Sequence, residues 1–148
     1  MHRKVAVALV AALALAVASC GGSETETLTG AALVRRMETA CRDGQREAAK
    51  ATRDARAPAD QATFLAALLA GQKTTLDELD NVDATGADKA DFEAFKDGMQ
   101  ARVDAVERVA SADRADIQRM VRAVQPAAEA AARRLEAAAR NLRVEGCS

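Results

Sequence analysis

Three cysteines, Cys20, Cys41 and Cys147, are the side chains with the most distinctive chemistry in this sequence. A thiol can act as a nucleophile, bind a soft metal ion or pair with a second thiol. The groups that usually activate a catalytic thiol or hydroxyl are scarce, because the single histidine is His2 and the chain contains no tyrosine or tryptophan. Beyond residue 2, the sequence therefore cannot supply a Ser-His or Cys-His catalytic pair.

Carboxylates are the other candidates for chemistry, and many of them fall between residues 77 and 93. They lie at the end of one predicted helix and in the first turn of the next, where acids interact with the helix dipole or are solvated. A paired-acid glycosidase site, or a weak calcium site between Asp77 and Asp91, is the alternative. The E-x-x-H motif of di-iron bundles, a set of zinc ligands and a glycine-rich phosphate loop are all missing. We therefore expect no enzyme, no metal and no cofactor.

The first 19 residues predict an export signal. A short basic segment at residues 2–4 precedes an uninterrupted apolar run at residues 5–18, and small residues follow. This is the layout of a signal peptide. The run of 14 residues is shorter than the roughly 20 that a membrane-spanning helix needs. We therefore expect residues 1–19 to be cleaved.

The segment Val17-Ala18-Ser19-Cys20 resembles the lipobox of bacterial lipoproteins, in which a branched apolar residue and two small residues precede a cysteine. The resemblance implies that a diacylglycerol is attached to the Cys20 sulfur and that signal peptidase II cleaves before Cys20. Ordinary secretion after the A-x-A sequence at residues 16–18 is the alternative. The cysteine count favours lipidation, because a lipid on Cys20 leaves an even pair of thiols. The resemblance places the protein on the extracytoplasmic face of the cell membrane.

Cleavage before Cys20 would leave 129 residues, enough for one domain with a sizeable core. This mature chain has 19 basic and 22 acidic residues, so its net charge is near −3. That charge argues against nucleic acid as a partner, because nucleic-acid binding needs a local positive excess. Residues 20–27 are small and polar, which predicts a flexible tether. Residues 28–148 would then form the domain.

Four segments of the domain show helical periodicity. Apolar or small residues recur at intervals of three and four in residues 34–55, 64–79, 92–110 and 117–142. Thr85 followed by Asp88 is similar to a capping box, which marks the start of the third helix. The last segment keeps its apolar register through Pro126, which predicts a kink and not a stop.

These segments predict an all-α fold, an up-down-up-down four-helix bundle. The weakest boundary lies at residues 111–113, where cap-type residues occur without glycine or proline. A break is favoured there, because one helix of more than 50 residues would leave much of its apolar stripe without a partner. The alternatives are three long helices, or a helical pair that completes its core by dimerising.

The antiparallel order of such a bundle brings the start of the first helix and the end of the last helix to the same end. Cys41 and Cys147 should therefore meet, and they can oxidise outside the cytoplasm. The segments Met37-Glu-Thr-Ala-Cys41-Arg and Leu142-Arg-Val-Glu-Gly-Cys147-Ser resemble those of small helical lipoproteins and secreted proteins of actinobacteria. Those proteins often have a glycine where this chain has Arg143. The resemblance supports the fold and the disulfide, and it implies no activity because that group shares none.

Two hypotheses for function follow. In the first, the protein is a structural or protein-interaction module that Cys20 anchors to the membrane and that engages another envelope protein. In the second, it binds an apolar small molecule or lipid between its helices, around Phe64, Phe92 and Phe95. Core packing of these three aromatics is the alternative explanation.

Overall fold

The computed structural model describes residues 25–54, 61–113 and 115–147. The expected signal peptide and Cys20 lie outside the described residues. These residues form four helices, α1 (Gly30–Asp54), α2 (Gln61–Asp80), α3 (Lys89–Ala110) and α4 (Ile117–Leu142). Two three-residue strands, β1 (Glu26–Leu28) and β2 (Val82–Ala84), and one 3-10 turn (Gly86–Asp88) complete the described elements. The predicted all-α class is confirmed.

Helices α1 and α2 pack against each other in antiparallel directions. Near one end of the pair, the Arg36 guanidinium forms an ion pair with Glu78 at 2.6 Å. Further along, Gly44 and Gly71 bring the two backbones together: a Cβ atom on Gly71 would lie only 2.6 Å from the Gly44 carbonyl oxygen. Both positions must therefore be glycine for the helices to approach this closely.

Helices α3 and α4 form a second antiparallel pair. The Asn141 amide donates a hydrogen bond to Asp91 at 2.9 Å. About two turns along α3, Gly98 faces α4, where a Cβ atom on it would lie 3.0 Å from Leu135 Cβ. Glycine again permits a close approach between two helices, and this contact fixes the register of the pair.

Helices α2 and α3 join the two pairs, and they are also antiparallel. Lys96 lies 3.4 Å from Asp80 at one end, and Lys73 lies 2.6 Å from Glu107 towards the other. We call the end with the strands, the starts of α1 and α3 and the ends of α2 and α4 the ribbon end. The opposite end, where α1 and α3 finish and α2 and α4 begin, is the far end.

The hydrophobic core is concentrated towards the ribbon end. Its largest fully buried side chains come from all four helices: Phe92, Phe95, Leu33, Met37, Leu79 and Leu135. Each lies on a helical stripe that places it inside the domain. Among the described residues, no helix is both long and apolar enough to cross a membrane.

The two strands form a parallel ribbon that the sequence does not predict. Glu26 pairs with Val82 and Leu28 with Ala84, and α1 and α2 provide the crossover that parallel strands require. Val82 and Ala84 are buried. The expected tether of residues 20–27 is therefore too long, because Glu26 and Thr27 belong to β1. Alternating small and polar residues gave no signal for a strand this short.

The start of α3 is capped differently from the expectation. Thr85 makes no side-chain hydrogen bond to the turn that follows it. Asp88 instead accepts a 2.7 Å hydrogen bond from the Gly30 backbone N–H, at the first residue of α1. A residue expected to cap its own helix thus satisfies an unpaired donor at the start of another helix.

The predicted break between the third and fourth segments is confirmed. Helix α3 ends at Ala110, and the Ser111 N–H bonds to the Glu107 carbonyl at 2.9 Å to close its last turn. Helix α4 then begins at Ile117 and runs through Pro126 to Leu142. Pro126 does not stop the helix.

Candidate functional site

The Cys41–Cys147 disulfide fastens the end of the chain to α1, and its Cα atoms are 5.2 Å apart. Cys41 lies about three turns into α1, so the chain must turn back after α4 to reach it. Arg143, in the left-handed conformation with φ at 60°, provides that turn. The Gln45 amide then donates a 2.8 Å hydrogen bond to the Gly146 carbonyl.

The predicted acidic cluster is divided among separate contacts. Glu78, Asp80, Asp88 and Asp91 each have a partner on another element. The partners are, in the same order, Arg36, Lys96, the Gly30 N–H and Asn141. Within the described part of the chain, no three carboxylate, thiol or imidazole groups come together as metal ligands would. These acids orient helices, which accounts for their concentration at the ribbon end.

The three phenylalanines expected to line a ligand site are not brought together. Phe92 and Phe95 are completely buried in the core, whereas Phe64 is 62% exposed. Phe64 lies in the first turn of α2, at the far end, and Phe92 lies in the first turn of α3, at the ribbon end. The 16 residues between Phe64 and the end of α2 correspond to about 24 Å of helix. The expected apolar site between these aromatics is therefore wrong.

The far end carries apolar side chains that are not fully buried on two helices. We refer to them together as the far-end apolar surface: Phe64 and Leu65 on α2, and Ile117, Val121 and Val124 on α4. Phe64 is the exposed large hydrophobic residue of the described chain, and the other four side chains are half-buried. The apolar stripe of α4 continues from Val124 towards the ribbon end, where its residues are buried. The α4 part of the far-end apolar surface is thus the half of the stripe that the rest of the domain covers only partly.

The two halves of α4 differ in burial. In the second half, where α4 packs against α3 and the shared core, four residues are buried: Ala131, Leu135, Ala138 and Leu142. Its first half continues the same register but has no fully buried residue. A surface helix needs an apolar stripe only where something covers it. The partly covered half is therefore the feature of this fold that most resembles a contact surface.

Comparison with protein-family models, with curated proteins and with solved structures gives no significant match.

Sequence reasoning also passed over Gln72. It occupies the buried register of α2, four residues before Leu76 and three after Leu69, yet it is polar. It is 93% buried, and its Oε1 atom has no hydrogen-bond partner among the described residues. The signal was present in the sequence, because a glutamine on an otherwise apolar stripe marks a buried polar group.

Proposed function

We propose that this protein is a lipid-anchored, non-catalytic interaction module on the extracytoplasmic face of the cell membrane. In this proposal Cys20 carries the lipid, the four helices form an up-down-up-down bundle, and the far-end apolar surface binds another envelope protein. The partner contributes an apolar helix face that covers Phe64 and the first half of α4. The single observation that carries the proposal is the partly covered half of the α4 stripe at the same end as the exposed Phe64.

The position of β1 supports this orientation. If the lipid is on Cys20, only five residues separate it from Glu26, the first residue of β1. An extended segment of that length spans about 20 Å at most. The ribbon end would then stay close to the bilayer. The 26 residues of α4 correspond to about 39 Å of helix, so the far end would project away from the membrane.

The residue types at the far end fit a protein partner. Aromatic side chains dominate the binding energy of many interfaces, where they fill a pocket on the partner. A helix that presents apolar residues at intervals of three and four can receive a second amphipathic helix. A partner helix docked on α4 would pack against it as the helices of the domain pack against one another. The net acidic charge of the chain favours a protein over nucleic acid.

Site-specific photo-crosslinking in intact cells of the source organism tests the interaction. A photoreactive amino acid at position 64 should give a reproducible crosslinked protein. The matched control is position 89, because Lys89 is exposed at the ribbon end. Phe64→Ser should abolish capture by a crosslinker at position 65 without lowering stability, since an exposed side chain contributes little to folding. The same partner from positions 64 and 89, or no reproducible partner, would contradict the proposal.

Intact-mass measurement of membrane-extracted protein tests the anchor separately. The expected species begins at Cys20 and carries the mass of a diacylglycerol, with further acylation where the organism adds it. Cys20→Ser should release the protein from the membrane fraction. An unlipidated species that begins at Ser19 would refute the anchor.

A further inference from the structure

A cleft lies between α1, α2 and α3, beside the disulfide, and it is separate from the far-end apolar surface. Its volume is about 190 Å³. Apolar side chains form part of its wall, including Leu68 from α2 and Met99 from α3. The polar lining includes Gln72 and Arg102. Gln45, also in the lining, is exposed, so the cleft is reached from the surface.

Gln72, in the wall of the cleft, has an acceptor atom that lacks a hydrogen-bond donor. Its Oε1 atom is buried and has no partner in the described chain. Thr75, one turn further along α2, is also buried, but its hydroxyl lies 3.1 Å from the Gly71 carbonyl and 3.3 Å from the Ala40 carbonyl. In the described conformation Oε1 is closed to solvent, so a donor in the cleft reaches it after the Gln72 amide rotates towards the cleft. Because an unpaired buried acceptor is costly, a ligand that supplies a donor favours that rotation.

Arg102 gives the cleft its charge. Among the described residues, it is the single charged side chain in the lining, and no carboxylate of that part of the chain lines the cleft with it. Within the described residues, Arg102 forms no ion pair or hydrogen bond through its guanidinium. A half-buried guanidinium with no acidic neighbour in the lining attracts an anion, and its planar donors match a carboxylate.

The dimensions restrict the size of the ligand. A cavity of about 150 Å³ holds benzene, and pockets for larger ligands begin at about 300 Å³. At 190 Å³, this cleft accommodates a ring or a short branched chain with one or two polar groups.

We infer that the cleft binds a small amphipathic carboxylic acid. Its carboxylate pairs with Arg102, an O–H or N–H group donates to Gln72 Oε1, and its apolar body packs against Leu68 and Met99. This inference does not rest on the lipid anchor or on the protein partner.

Three probes built on the same benzene ring separate the two polar contacts. 4-Hydroxybenzoate has both a carboxylate and a donor, benzoate lacks the donor, and phenol lacks the carboxylate. Titration of the isotope-labelled protein, followed by NMR of backbone amides, gives Kd and locates the site. 4-Hydroxybenzoate should bind about fivefold more tightly than benzoate and about tenfold more tightly than phenol, given the usual strength of neutral and charge-assisted hydrogen bonds.

Two substitutions assign each preference to its residue. Gln72→Leu should remove the advantage of 4-hydroxybenzoate over benzoate, and Arg102→Gln should remove its advantage over phenol. Arg108→Gln is the matched control, because Arg108 is an exposed arginine on the same helix, outside the cleft lining. Circular dichroism shows that each variant is folded before it is titrated.

The NMR titrations can give three kinds of result. Saturable shifts at residues of the cleft, with both preferences lost in the respective variants, would establish it. No saturable shift with any probe at 10 mM would overturn it and leave water as the partner of Gln72. Binding that neither substitution changes, or shifts outside the cleft, would also overturn it.

Discussion

Removing the Cys41–Cys147 disulfide should destabilise the domain more than any other single change considered for this protein. The bond joins residues 106 apart in sequence. In the chain-entropy description, closing a loop of that length restricts the unfolded chain by about 4.8 kcal/mol at 25 °C. Domains of this size are stable by only about 5–15 kcal/mol in total. The bond therefore contributes a large part of the stability.

The expected change in thermal stability follows from the same quantity. At about 2.1 cal/mol/K per residue, the unfolding entropy of the 121-residue domain (residues 28–148) is about 250 cal/mol/K. A loss of 4.8 kcal/mol then lowers Tm by about 20 °C. Cys41→Ala together with Cys147→Ala should show this loss in urea unfolding, with a steeper dependence on urea concentration because the unlinked unfolded chain exposes more surface.

Reduction of the unmodified protein with dithiothreitol is the control, because it opens the same loop without changing a side chain. It should give the same loss as the double substitution. A loss below about 2 kcal/mol in both experiments would refute the reasoning from loop length. It would mean that the segment after Leu142 is held against α1 by its other contacts, such as the Gln45–Gly146 hydrogen bond.

Three further substitutions should change the free energy of unfolding in predictable directions, each measured by urea unfolding. Gly71→Ala should cost about 2 kcal/mol despite its better helix propensity, because the new methyl group would meet the Gly44 carbonyl oxygen; an unchanged stability would contradict the close approach of α1 and α2. Asp88→Ala should cost about 1 kcal/mol by removing the acceptor for the Gly30 N–H, and Asp88→Asn should recover part of it. Gln72→Leu should raise stability by about 1 kcal/mol, since an unpaired buried oxygen is replaced by an apolar group; a loss of similar size would show that Gln72 Oε1 has a partner in solution.

At the ribbon end, the hydrogen-bond partner of Asp88 differs from the one that the local sequence predicts. Thr85 and Asp88 have the spacing of a capping box, and a local reading assigns both to α3. Asp88 instead bonds to Gly30, 58 residues earlier. Capping by side chains depends on which backbone donors lie nearby, and here the nearest unpaired donor comes from α1.

The sequence by itself favoured four helices with a break near Ser111, and it predicted the continuity of α4 through Pro126 and the nearness of Cys41 to Cys147. These features follow from local periodicity, from the hydrogen bonding of individual residues and from the alternating direction of sequential helices. They need no knowledge of distant contacts.

Only the tertiary structure decided the pairing of β1 with β2, the contact of Gly44 with Gly71 and the partly covered first half of α4. Periodicity shows which face of a helix is apolar, but it does not show whether another element covers that face. The same register buries Leu135 and leaves Val124 half-buried, so the two halves of one apolar stripe are covered to different extents. Coverage depends on helix lengths and on where the pairs cross, and those are properties of the assembled domain.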